Sequence, residues 1–142
     1  MKYPTHLSHK PIIGVDDYDI VDDMYAGDAK ALTVGFAQYD PNHISAKVWR
    51  HNGSEWNRTS EELPLHRVLD LAALIVSLYH PQMPAPLSSY HGTQAPHLPT
   101  RIQTDADGND DMQKLYEYLA EYDEYYRPRL KALKTLLNGL NI

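Results

Sequence analysis

At 142 residues the chain is long enough to bury the core of one domain, and 42% of it is hydrophobic. Its formal net charge of −6 disfavours a general nucleic-acid or anionic-membrane surface. It contains no cysteine, which excludes disulfides, thiol nucleophiles and thiolate metal sites, and fits a reducing, cytoplasmic setting.

Met1-Lys2-Tyr3-Pro4-Thr5-His6 has no apolar run behind it, so no secretory signal is expected. Pro11-Ile12-Ile13-Gly14-Val15 reads as a short strand. Asp16, Asp17, Asp19, Asp22 and Asp23 then make an acidic loop around Tyr18 and Tyr25. Such a run reads as a solvated surface rather than a cation site.

Residues 30–39 alternate, with Leu32, Val34 and Phe36 on one face and Ala31, Thr33, Gly35 and Ala37 on the other. This period of two is the mark of a strand. Asp40-Pro41-Asn42-His43 suits a turn. A four-residue loop there sets Tyr39 opposite Ile44 and Val34 opposite Trp49. Residues 44–51 and 54–59 flank Asn52-Gly53, a strong signal for a two-residue type I′ hairpin. That turn sets Trp49 opposite Trp56, Arg50 opposite Glu55 and Lys47 opposite Arg58. Each favourable cross-strand pair contributes roughly 0.2–1 kcal/mol. The three strands form an antiparallel meander whose bulky face holds Leu32, Val34, Phe36, Trp49 and Trp56.

Thr59-Ser60-Glu61-Glu62 has the spacing of a helix capping box, and Pro64 suits a first helical turn. From Leu65, Val68, Leu69, Ala72, Ile75, Val76 and Tyr79 form one apolar stripe, and Leu71, Leu74 and Leu78 form another. A helix apolar on two faces is expected to be buried between layers. It is too short, and too interrupted by His66, Arg67 and Asp70, to cross a membrane. Residues 80–104 are rich in proline and small polar residues and read as an irregular connector within one domain, residues 1–142.

A last helix opens near Asp107-Gly108-Asn109. Met112, Leu115, Leu119, Tyr122, Tyr126, Leu130, Leu133 and Leu137 recur along it at three- and four-residue steps. Pro128 is expected to kink or break it within residues 124–127, and Gly139 to end it. The expected class is α+β: a small antiparallel β-meander packed against a buried central helix and a long C-terminal helix.

Several residues could carry chemistry. His66 and Asp70 are i, i+4 neighbours able to hydrogen-bond, with Arg67, Arg58 and Glu62 nearby. As catalytic candidates these five point to a small hydrolase-like enzyme. As a structural pair, Asp70 would answer Arg67, Arg50 or Arg58. The Trp49/Trp56 pair, flanked by Lys47, His51 and Arg58, could stack bases if exposed, but the register argues for core. Asp105 to Asp110 fails the calcium-loop pattern at its sixth and twelfth positions, Asp110 and Tyr116. His80, His91 and His97 match no standard zinc spacing. No metal or cofactor is therefore expected. Eleven tyrosines against one phenylalanine are unusual. Tyr118, Tyr125 and Leu136 widen the last helix into a partner-facing flank.

Ser45-Ala46-Lys47-Val48-Trp49-Arg50-His51 and the stretch from Ser60 to Leu71 resemble a small bacterial domain family without assigned activity. The resemblance covers the middle third, implies a bacterial source and carries no catalytic roles. The leading expectation is a non-catalytic protein-binding or regulatory module, its partner a protein and potentially a second copy, with no nucleic acid and no membrane. The hydrolase is the alternative.

Overall fold

The computed structural model describes residues 1–22, 24, 27–80, 87–88, 97–98 and 100–142. Its contacts divide it into two compact units, Met1–Leu71 and Ala72–Ile142. The class is α+β, as expected.

The first unit is built on β1 (Lys10–Val15), β2 (Ala29–Phe36), β3 (Ile44–Arg50) and β4 (Glu62–Pro64), with the short helix α1 (Asp19–Asp22) between β1 and β2. The strands lie in the order β1-β2-β3-β4, each antiparallel to the next. The meander therefore has four strands rather than three. Residues 54–59 do not form its last strand; Glu62–Pro64 do.

Both expected registers shift. Phe36 pairs with Ile44, Val34 with Ala46 and Ala31 with Trp49, because the link between β2 and β3 closes on Ala37 N–H donating to the His43 carbonyl. This offset of three residues is odd, so it moves Trp49 to the opposite face. The buried face holds Ala29, Ala31 and Thr33 of β2 with Ser45, Lys47 and Trp49 of β3. Phe36, assigned by alternation to the core side, is 46% exposed. Small side chains on β2 leave the room that Trp49 fills.

The second shift lies at Asn52-Gly53. A type I′ turn would need Asn52 at positive φ, whereas of these two only Gly53 has it, at 98°. Asn52 instead turns its Oδ1 to the amides of Ser54 and Glu55, the local side-chain capping that makes asparagine a turn former. His51 rather than Trp49 then bridges to Trp56. The indoles still meet edge-on, ring centres 5.9 Å apart.

What covers the buried face is the N-terminal segment. Leu7 packs on Ala31 and Trp49, with Tyr3 and Trp56 beside them. The helix α2 (Leu65–Ser77) is not buried between layers: none of its residues is buried, and Leu69 is 70% exposed. Its first turn follows β4 directly, and the expected capping box is absent because Glu62 lies in the strand.

In the second unit, Leu87–Ser88 (β5) pair with His97–Leu98 (β6). These two-residue strands correct the expectation of no regular element in residues 80–104, most of which lie outside the described residues. Asp105 Oδ1 accepts from the amides of Asp107 and Asn109, and Thr104 bridges to Asp110. Helix α3 (Met112–Glu121) ends at Tyr122, and α4 (Asp123–Asn138) begins at once. The break falls just upstream of residues 124–127, while Pro128 sits inside α4. The expected stripe from Met112 to Leu133 is the half-buried side of both helices, and Leu137 falls outside it. Gly139 caps α4 at φ −81°, a conformation open to any residue.

Candidate functional site

Three strands and the N-terminal segment converge on one imidazole. Thr33 of β2, Ser45 of β3 and Glu62 of β4 point to the buried sheet face by the two-residue period of their strands. His9 is 0% exposed there. Its Nδ1 lies 3.0 Å from Glu62 Oε1 and 3.1 Å from Ser45 Oγ, and its Nε2 lies 2.9 Å from Thr33 Oγ1. Ser45 Oγ donates to the same Glu62 oxygen at 2.7 Å. Trp49 Nε1 donates to Thr33 Oγ1 at 2.9 Å. One assignment satisfies every contact: Nδ1–H donates to Glu62, and the Thr33 hydroxyl donates to the bare Nε2 while accepting from Trp49.

The electrostatics follow from this closure. Burial holds the His9 pKa below its ordinary value, against the pull of Glu62. Burial works to raise the Glu62 carboxyl, but hydrogen bonds from Ser45, the Gln38 amide and His9 outweigh it, and its pKa is lowered. Lys47, also buried, is pushed down by desolvation. It donates to the carbonyls of Arg58 and Ser60 and lies 4.8 Å from the Trp49 ring centre. A hydroxyl, an imidazole and a carboxylate are therefore present, but the Ser45 hydroxyl and the His9 imidazole are sealed. The arrangement lacks the access that a nucleophile and base need.

Glu62 is the member that reaches outward. Its Oε1 takes three donors: His9 Nδ1, Ser45 Oγ and the Gln38 amide. Among the described residues its Oε2 takes none. Its side chain is 11% exposed and lines an open groove of about 960 Å³ beside β4, an edge strand. Tyr39 and His43 flank the groove, their rings 6.1 Å apart and edge-on. Ile44, Leu65 and Arg67 contribute to its lining.

The model of a family of unknown function, DUF6530, matches residues 1–142. The chain belongs to this family. The match spans the whole chain, where the sequence resemblance covered the middle third. No curated protein and no solved structure matches it.

This DUF6530 member brings three of the five catalytic candidates to one place: Glu62, His66 and Arg67 share the groove. Arg58 lies outside its lining and gives its carbonyl to Lys47. Asp70 is half-exposed, with no ion pair or hydrogen bond among the described residues. Arg50, a possible partner for it, is engaged by Asp28 at 3.1 Å and Glu61 at 2.9 Å instead.

On the C-terminal flank, the Tyr118 ring lies tilted against Tyr122, centres 4.9 Å apart, and meets Tyr126 hydroxyl to hydroxyl at 2.6 Å. Tyr125 lies 6.2 Å from Tyr122, ring centre to centre, and Leu136 is 71% exposed. No group of three or more His, Cys, Asp or Glu among the described residues could hold a metal ion. His91 lies outside the described residues. Among the described residues no helix is long and apolar enough to cross a membrane.

The sequence reading missed His9, Thr33 and Ser45. Ser45 and Lys47 alternate with Trp49 on one strand face, and two polar residues beside a buried indole are the available sign of a polar core. Nothing in the aperiodic segment before β1 marked His9.

Proposed function

We propose that the protein is a non-catalytic binding module, acting in the cytoplasm, whose partner is another protein. The closure of the titratable cluster around His9 supports this reading. His9, Ser45 and Glu62 satisfy each other inside the sheet, with His9 and Ser45 0% exposed, so the cluster specifies a core rather than meeting a substrate. Self-association through the flank of Tyr118, Tyr125 and Leu136 belongs to the same proposal. Helix α4 opens on Asp123 and Glu124 and carries Arg129, Lys131 and Lys134 further along, so two antiparallel copies would match in charge.

The alternative is a hydrolase, favoured by the groove that Glu62, His66 and Arg67 share. Nitrophenyl acetate, phosphate and glycoside substrates separate the two. The binding module gives the same background release as its His66→Ala, Asp70→Asn double variant. Turnover that this variant abolishes overturns the proposal in favour of the enzyme. Light scattering at micromolar concentration tests the self-association arm: a mass near 16.2 kDa, unchanged by Leu136→Glu, removes it.

A further inference from the structure

We infer that the groove beside β4 receives a lysine side chain of the partner protein, its ammonium group seated on Glu62 Oε2. This rests on the binding-module reading and names the chemistry of its partner. Three observations carry it. First, Glu62 is asymmetric: Oε1 is saturated by His9, Ser45 and the Gln38 amide, Oε2 takes no donor among the described residues, and the residue lines the groove. The donors that saturate one oxygen also fix the carboxylate plane, so the free oxygen presents its lone pairs without further ordering cost. Second, the residues around it suit an alkyl chain ending in a cation. Ile44 and Leu65 offer apolar surface for the methylenes, and Tyr39 offers an aromatic ring. Third, the charge is right. The groove carries two carboxylates, Asp40 and Glu62, against one guanidinium, Arg67, on a chain of net charge −6. A basic partner is steered toward it and an acidic one away.

The test is a nuclear magnetic resonance titration of the full chain with acetyl-leucyl-lysyl-leucinamide, and with the same peptide carrying norleucine in place of lysine. The lysine peptide shifts the amides of Gln38, Tyr39 and Leu63 and saturates on the order of 1 mM, as one partly buried charge contact allows. Glu62→Gln weakens it about tenfold, the loss of one charge-assisted hydrogen bond. Arg67→Glu, an exposed change in the first turn of α2, tightens it several-fold by removing the competing cation. Should Glu62→Gln fail to fold, the norleucine and Arg67→Glu arms still decide. Equal shifts from the norleucine peptide, no saturable shift from the lysine peptide, or an affinity unchanged or reduced by Arg67→Glu each overturn the inference. Those outcomes leave the binding-module reading intact, whereas turnover abolished by the His66→Ala, Asp70→Asn variant removes that reading itself.

Discussion

His9 Nδ1 and Glu62 Oε1 lie 3.0 Å apart although 53 residues of chain separate them. This contact, with Ser45 and Thr33 on either side, ties the N-terminal segment to the far edge strand. His9→Ala removes a buried ring, leaves the Thr33 hydroxyl without its acceptor and takes one donor from Glu62. It should lower stability by about 2–4 kcal/mol, combining a cavity with unsatisfied polar groups. Urea unfolding of the full chain measures it, and a loss within about 0.5 kcal/mol would show the network to be ornamental.

The same network sets a pH dependence. His9 ordinarily titrates near 6.5 and is held lower in the fold by burial. The unfolded chain therefore takes up that proton first as pH falls, and stability declines from about pH 6.5 down to the lowered folded value. Glu62, ordinarily near 4.5, is also lowered, so its contribution is complete above that value and is lost as pH falls through the folded one. Both act in one direction: acid destabilises. Thermal melts between pH 8 and 4 should show a decline that begins near the histidine range. His9→Gln should flatten that first part and leave the second. A melting temperature that rises on acidification contradicts the assignment.

Gly35 is a third point of test. A Cβ there would clash with the Lys10 carbonyl oxygen and lie 2.7 Å from Pro11 Cα. Both are backbone atoms and cannot swing aside. Gly35→Ala should push β1 off β2 at a cost of about 2–4 kcal/mol, comparable to other overpacking and strain changes. Hydrogen exchange would report it as faster exchange in Lys10–Val15 than in β3. Uniform protection across the sheet would show that β1 adapts.

Tyr79 points the other way. Its hydroxyl is buried and has no hydrogen-bond partner among the described residues, and burial, reinforced by Asp123, raises its pKa. Tyr79→Phe removes a polar atom that gains nothing from its site. Stability should stay equal or rise by up to about 1 kcal/mol. A clear loss in a chemical melt would mean that the hydroxyl is bonded after all.

What the sequence disclosed depended on the range of the signal. Alternation in β2 and the stripe from Met112 to Leu133 are local periodicities, and both survive in the structure. Register was lost at two turns, for one reason: side-chain and backbone hydrogen bonds at Asn52 and Ala37 chose loop lengths that residue type alone left open. One odd shift then carried Trp49 to the face opposite Leu32 and Val34. Glu62 reads locally as a helix cap, yet its Oε1 is taken by His9, Ser45 and Gln38, contacts with no sequence spacing to announce them. The apolar α2 looks like an interior helix because pattern alone ignores which surface is available. Residues 3–9 already occupy the sheet face it would have sought.

The sheet order β1-β2-β3-β4 copies the order of the chain, and this bears on folding kinetics. Each strand can add to the one just formed, so every step pairs neighbours in the chain and the meander has little reason to fold slowly. The His9–Glu62 contact differs, since it requires both outer strands to be in place. It should form after the rate-limiting barrier. Substitutions at His9 or Glu62 should then act mainly by quickening unfolding, with refolding rates close to those of the unaltered chain.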